Sequence, residues 1–175
     1  MTQRLRFEGA AKGAIETVEI DIDTVIADGR RIAPARLTQS RLAQAGAIEA
    51  GTALLAHPVL VGGTDRLWLT VGAVSGAACP LGRQAWRFEE VEPHWDQLVL
   101  RSFADGRLLC EERLAALGSA RELIVQATGG KRLAVGVALF CGASSSAAAA
   151  PVPCREGALE LHDAVLGRTL TYGYP

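Results

Sequence analysis

The chain is 175 residues long, which favours one domain, or one and a half, and is enough to bury a core. Hydrophobic residues make up 49% and charged residues 21%, a composition typical of globular rather than disordered proteins. A net charge of -1 at pH 7 argues against a general nucleic-acid binder, which needs a basic surplus to neutralise phosphates. The same balance offers no attraction to an anionic membrane surface.

The first predicted unit is a hairpin near the N-terminus. Residues 15–26 alternate between apolar and mostly polar or acidic side chains, the pattern of a half-buried strand. Asp28-Gly29 is typical of a type I′ turn, and residues 30–37 return as the partner strand, with Pro34 at an edge or bulge. The next stretch, with Ser40 as N-cap, predicts one short helix near residues 40–50.

The remaining predicted elements are strands separated by turns. A second Asp-Gly pair, Asp105-Gly106, and the pair Gly129-Gly130 predict two further hairpins. The predicted strands cover residues 53–61, 66–71, 97–103, 107–114, 122–128, 132–141, 158–162 and 169–174. We therefore expect a mainly β fold, an antiparallel sandwich or barrel built of hairpins.

The domain boundaries follow from a change in composition. Residues 1–142 form the predicted β-rich domain, residues 143–153 a Ser/Ala/Pro-rich linker or long loop, and residues 154–175 a hairpin packed on the same domain. The uncharged stretch from Leu133 to Ala150 is strongly apolar only as far as Cys141, which predicts a buried strand and no membrane span. No apolar run follows the basic residues at the N-terminus, so we expect no signal peptide.

The chain lacks the usual signatures of catalytic and metal sites. The four cysteines include no C-x-x-C pair, which argues against a metal site and favours reduced thiols in a cytoplasmic protein. No G-x-S-x-G element presents a nucleophile, and the sequence around Lys131 does not complete a phosphate-binding loop. We expect no cofactor.

The leading hypothesis is a non-catalytic assembly, accessory or structural protein that acts through protein partners or as a homo-oligomer. Its predicted interface is the cluster of Arg83, Trp86, Phe88 and Trp95, because tryptophan and arginine are common anchors of protein interfaces. The alternative for Trp86 and Trp95 is that they belong to the core.

The second hypothesis is a small-molecule lyase or hydrolase with a pocket inside the barrel or sandwich. Its base would be His57 or His94, with Asp96 as a nearby carboxylate. A deep pocket that contains His94 and a carboxylate would favour this hypothesis, and three surface histidines would defeat it.

A resemblance to a known family is consistent with the leading hypothesis. Residues 82–85 (Gly-Arg-Gln-Ala) are followed by Phe88 and by the alternating residues 98–101. Next comes the motif Asp-Gly-Arg-Leu-Leu-Cys-Glu-Glu-Arg-Leu at residues 105–114, and then Gly129-Gly130 with an apolar strand. This order resembles the C-terminal part of the urease accessory protein UreD family, although Trp86-Arg87 stands where that family has Gly-Glu. The resemblance implies an all-β scaffold without chemistry of its own, which recruits a GTPase complex to an apo-metalloenzyme.

Overall fold

The computed structural model describes residues 1–11, 14–39, 52–76, 78–142 and 152–175. Within these ranges the protein is mainly β, with fourteen strands in mostly antiparallel sheets and two short α-helices, which confirms the predicted fold class. The strands are β1 (Gln3–Ala11), β2 (Ala14–Ile22), β3 (Thr24–Ala27), β4 (Arg30–Ile32), β5 (Leu37–Thr38), β6 (His57–Gly62), β7 (Leu67–Gly72), β8 (Cys79–Pro80), β9 (Gln84–Arg87), β10 (Val99–Ala104), β11 (Arg107–Arg113), β12 (Val137–Phe140), β13 (Gly157–Asp163) and β14 (Arg168–Tyr174). The helices are α1 (Phe88–Val91) and α2 (Ala120–Thr128), and 3-10 helices cover Pro34–Arg36, Glu92–Gln97 and Leu114–Leu117.

Two sheets pack against each other. The larger, curled sheet has the strand order β2-β1-β9-β7-β6-β12-β3-β4, and the smaller has the order β11-β10-β13-β14. The pair β5 and β8 is parallel, as are β1 with β9 and β12 with β3. The order in the smaller sheet matters most for the site, because it places the β13–β14 hairpin beside β10.

The two faces of the larger sheet bury two separate apolar clusters. Leu60 of β6 belongs to the cluster between the sheets, which also contains Leu100 and Leu161 of the smaller sheet. Its neighbours Val59 and Val61 belong to the cluster on the other face, because successive side chains of a strand point to opposite sides.

Both Asp-Gly pairs form the predicted tight turns. Asp28 and Gly29 have φ angles of 51° and 70°, and Asp105 and Gly106 have φ angles of 48° and 75°. Two consecutive left-handed residues are the conformation of a type I′ turn. The turns join β3 to β4 and β10 to β11, as expected.

The predicted strand at residues 122–128 is wrong, because these residues belong to helix α2. Ser119 Oγ accepts a hydrogen bond from the Glu122 backbone N–H (3.2 Å), and the Glu122 carboxylate accepts one from the Ser119 backbone N–H (3.0 Å). This capping box satisfies two backbone donors at the start of the helix, and Gly129 (φ 73°) ends it in the left-handed conformation. Only Val137–Phe140 of the predicted strand at 132–141 is extended.

Two further differences concern the N-terminal half and the linker. The predicted strand at 15–26 is divided at Asp23 into β2 and β3, and Pro34 begins a 3-10 helix instead of continuing the return strand. The predicted helix near residues 40–50 lies outside the described residues, as does the predicted linker except for Val152 and Pro153. No helix in the described part of the chain is long and apolar enough to cross a membrane.

Candidate active site

His94 lies in the segment that connects the larger sheet to the smaller one. Strand β9 continues into α1 and then into the 3-10 helix Glu92–Gln97, where His94 departs from helical geometry (φ −127°, ψ 27°). The flanking aromatic residues hold this segment in place: the rings of Phe88 and Trp95 meet edge to face at 6.0 Å, and Trp95 Nε1 donates to the Gly118 carbonyl at 3.0 Å. His94 is therefore presented by a short segment that is anchored in the core.

The partner of His94 is Asp163, the last residue of β13. Its side chain is fully buried, and its Oδ1 lies 2.9 Å from His94 Nε2. The same oxygen accepts hydrogen bonds from the backbone N–H groups of Val165 (3.0 Å) and Leu166 (3.1 Å) in the turn that leads to β14. Asp163 thus shapes the β13–β14 turn and also joins it to the His94 segment.

The electrostatic surroundings keep Asp163 ionised. Burial alone would raise the pKa of Asp163, but the hydrogen bonds from His94 and the Leu166 N–H, with the positive charge of Arg168, outweigh burial and hold the pKa below its usual value. An ionised carboxylate only accepts hydrogen bonds, so the His94 Nε2 atom carries the proton. Nδ1 of His94 has no hydrogen-bond partner among the described residues and is the nitrogen left to accept a proton.

A cavity of about 290 Å³ opens beside His94. It is lined by residues of the 3-10 helix, including Glu92 and Asp96, and by Ser119 and Arg121 at the start of α2. Glu92 forms an ion pair with Arg121 at 2.6 Å, whereas Asp96 is exposed. The cavity thus combines a histidine side chain with polar side chains from two elements.

Of the residues predicted for an enzyme, His94 and Asp96 line the same cavity and His57 does not. His57 is buried at the start of β6, with its ring edge to face with Phe140 at 6.1 Å. Burial lowers the pKa of His57 to about 4, and its Nδ1 has no hydrogen-bond partner in the described part of the chain. The third histidine, His162, is half-buried and hydrogen-bonded to Thr169 Oγ1 at 2.8 Å.

The aromatic residues predicted for an interface lie in the core instead. Trp86, Phe88 and Trp95 are 2%, 8% and 4% exposed, and all three belong to the cluster between the sheets. Their large apolar rings are buried where β9 and the following segment face the smaller sheet. Buried rings cannot serve as exposed anchors in this conformation, so only Arg83 of the predicted interface remains on the surface.

Sequence reasoning missed the importance of Asp163 and Arg168. Asp163 follows His162 directly, but adjacent side chains of a strand point to opposite sides. The sequence therefore gives no reason to expect these two side chains to form a catalytic pair. The true partner, His94, is 69 positions away. An aspartate that ends a strand just before a turn was the available signal, because such side chains often bond to the turn backbone.

The fold and the site together define a mainly β protein in which the half-buried His94, hydrogen-bonded to the buried Asp163, lines a small cavity. The chain belongs to the family described as "Protein of unknown function (DUF2848)", whose model matches residues 73–174, more than half of its length. The matched stretch includes His94, Asp163 and the cavity. No curated protein matches the chain. The family match does not bear on the resemblance to UreD, which stays a prediction.

The residues within the described ranges include no cluster of three or more His, Cys, Asp or Glu side chains arranged to hold a metal ion. The four cysteines, all of them described, are free thiols. Burial raises the pKa of Cys141 to about 12 and also raises those of Cys79 and Cys154. These three thiols are therefore poor nucleophiles at neutral pH.

Proposed function

We propose that this protein is a small-molecule enzyme of the lyase or hydrolase class in which His94 acts as the general base. The observation that supports this function most strongly is the hydrogen bond of 2.9 Å between His94 Nε2 and the buried carboxylate of Asp163, beside a cavity of about 290 Å³. A buried carboxylate that orients a histidine at a cavity is the arrangement used to hold an imidazole in one tautomer. The sequence alone favours a non-catalytic role, whereas the surroundings of His94 favour catalysis.

The chemistry follows from the protonation states of the pair. The ionised Asp163 accepts the Nε2–H of His94, which leaves the lone pair on Nδ1 to remove a proton from a substrate carbon or from a water molecule. When Nδ1 takes the proton, Asp163 stabilises the resulting imidazolium at hydrogen-bond distance. Such a base contributes a factor of about 10² to 10⁴ to the rate of a reaction.

The cavity limits the size of the substrate. Its volume of about 290 Å³ is just below the range for ligand pockets, which begins near 300 Å³. Polar side chains line it, including Glu92, Asp96 and Arg121. We therefore infer a small polar substrate. The cysteine pattern favours a cytoplasmic protein, and we include this location in the proposal.

A panel of small substrates tests the proposed function. Purified protein is incubated with p-nitrophenyl esters of short acids and with short β-hydroxy acids, and turnover is followed by absorbance and NMR. We expect turnover of at least one compound, and a decrease of about 10² or more in kcat in both His94→Gln and Asp163→Asn. Asp65→Asn, which changes an exposed carboxylate in the loop between β6 and β7, away from the cavity, is the matched control for the charge change. Turnover that survives His94→Gln, or its absence across the panel with no compound bound, would overturn the proposal.

The accessory role remains the second candidate. Two neighbouring leucines of β11, Leu108 and Leu109, are 51% and 37% exposed on an edge strand of the smaller sheet. Exposed apolar residues on an open edge suit a protein partner or a second copy, including the metalloenzyme maturation that the UreD resemblance implies. Native mass determination of the protein from its own source tests this role: a stoichiometric complex or homo-oligomer supports it, and a monomer argues against it.

A further inference from the structure

Arg168, the first residue of β14, contacts Asp163 of the His94–Asp163 pair and two neighbouring side chains. Its Nε lies 3.5 Å from Asp163 Oδ2, and its Nη1 lies 3.4 Å from Glu90 Oε2. Its guanidinium also stacks on the buried ring of Trp86, with Cζ 4.6 Å from the ring centroid. The side chains of Arg168 and Glu90 are each only 20% exposed, so this charged cluster is largely withdrawn from water.

The two oxygens of Asp163 have unequal surroundings. Oδ1 accepts three hydrogen bonds, from His94 and from the backbone of Val165 and Leu166. Oδ2 is buried and makes no hydrogen bond in the described part of the chain, and the Arg168 guanidinium is the cation beside it. A carboxylate fixed at one oxygen can still rotate about its Cβ–Cγ bond, and a rotation would break the bond to His94. A cation at Oδ2 opposes that rotation.

We propose that Arg168 is a positioning residue for His94, which holds the Asp163 carboxylate in the orientation that keeps Nε2 protonated and Nδ1 unprotonated. This inference rests on the proposed function for its role in catalysis, but the geometry it describes is measurable without a substrate. Trp86 supports the guanidinium from one face, and Glu90 holds its far end. Arginine suits this place because its planar group stacks on an aromatic ring while its positive charge lies next to two carboxylates.

The charges around the pair agree with this role. Asp163, Glu90 and Arg168 together carry a net charge of -1, which an imidazolium at His94 neutralises. On the cavity side, Glu92 is paired with Arg121 and Asp96 is exposed, so solvent and pairing weaken their influence. The buried cluster thus places one uncompensated negative charge beside the His94 ring.

The test is the hydrogen exchange of the His94 Nε2–H group, observed by NMR in ¹⁵N-labelled protein and assigned with His94→Gln. We expect Arg168→Met to accelerate this exchange by at least about tenfold, or to abolish the signal, because the hydrogen bond to Asp163 loosens. Arg168→Lys, which retains the charge without the planar group, should give an intermediate rate. If Arg168→Met does not fold, the lysine variant alone decides the question, and an unchanged rate in it overturns the inference.

Arg66 offers a matched control. It too forms an ion pair with a glutamate of α1, Glu89 at 2.9 Å, and lies over a tryptophan, Trp68 at 6.0 Å. Arg66→Met therefore removes the same kinds of contact away from Asp163 and should leave the His94 signal unchanged. Equal effects of Arg66→Met and Arg168→Met would overturn the inference, since both would then report a general loosening of the fold.

The outcome is separable from that of the substrate panel. Faster exchange in Arg168→Met without any turnover of the panel supports the positioning role and opposes the proposed function. Turnover that depends on His94, together with unchanged exchange and unchanged kcat in Arg168→Met, supports the proposed function and overturns the role of Arg168.

Discussion

Replacement of His57 by leucine should remove the part of the stability loss between pH 7 and pH 5 that comes from protonation of this histidine in the unfolded chain. His57 is 5% exposed and faces Phe140, and its Nδ1 has no hydrogen-bond partner among the described residues. Burial disfavours the charged imidazolium and lowers the pKa of His57 from 6.5 to about 4, an effect that the negative charge of Asp28 only partly offsets.

The direction and size of the effect follow from the two pKa values. Because the folded-state pKa is lower than that of the unfolded chain, the unfolded chain binds a proton more readily as the pH falls from 6.5 to about 4. The stabilising contribution of the neutral histidine is therefore present above pH 6.5 and lost below it. The contribution of His57 to the free energy of unfolding should fall by about 2 kcal/mol between pH 7 and pH 5, and by about 3 kcal/mol by pH 4.

The assay is denaturant unfolding of wild type and His57→Leu at pH 7, 6 and 5. The variant should lack this part of the pH dependence, so that the stability difference between the two proteins shifts toward the variant by about 2 kcal/mol from pH 7 to pH 5. His162→Gln, which changes the half-buried histidine of β13, should retain the wild-type dependence. A constant difference between wild type and His57→Leu across this range would refute the reasoning.

Two further predictions concern stability. Trp86→Ala should destabilise the fold by about 3–5 kcal/mol, because the ring is buried in the core. Arg83→Ala should change the free energy of unfolding by no more than about 0.5 kcal/mol, because Arg83 is exposed. Thermal melting measures both variants, and an unchanged stability of Trp86→Ala would contradict the core position of Trp86 and favour its role in an interface. Ser119→Ala should cost about 1 kcal/mol, because it removes the hydroxyl that accepts the Glu122 N–H at the start of α2; equal stability in urea unfolding would contradict the capping role.

The parts of the fold that the sequence predicted are those controlled by local chemistry. Asp28-Gly29 and Asp105-Gly106 adopt left-handed backbone conformations that few other residue pairs tolerate. Each hairpin could therefore be predicted from its Asp-Gly dipeptide alone. Helix α2 was missed although its capping box is equally local, because the apolar residues Leu123, Ile124 and Val125 suggested a strand. Ser119 and Glu122 were the better signal.

Only one residue of the candidate His94–Asp163 pair could be predicted from the sequence. His94 could be singled out because the chain has only three histidines. Its partner could not, since Asp163 comes to His94 only through the pairing of β13 with β10, a contact between distant parts of the chain. The same applies to Arg168 and Trp86, whose stacking depends on how the two sheets pack.

Acylation of the histidines with diethyl pyrocarbonate at pH 8 tests the claim that Asp163 makes His94 an accessible base. An unprotonated ring nitrogen attacks the carbonyl carbon of the reagent and displaces ethyl carbonate, and peptide mass spectrometry gives the rate at each histidine. We predict that His94 reacts faster than the buried His57, and that Asp163→Asn slows His94 by at least about tenfold without changing His162, because an amide that donates to Nε2 moves the ring proton to Nδ1. A His94 rate that is no faster than that of His57, or that is unchanged in folded Asp163→Asn, would contradict the claim.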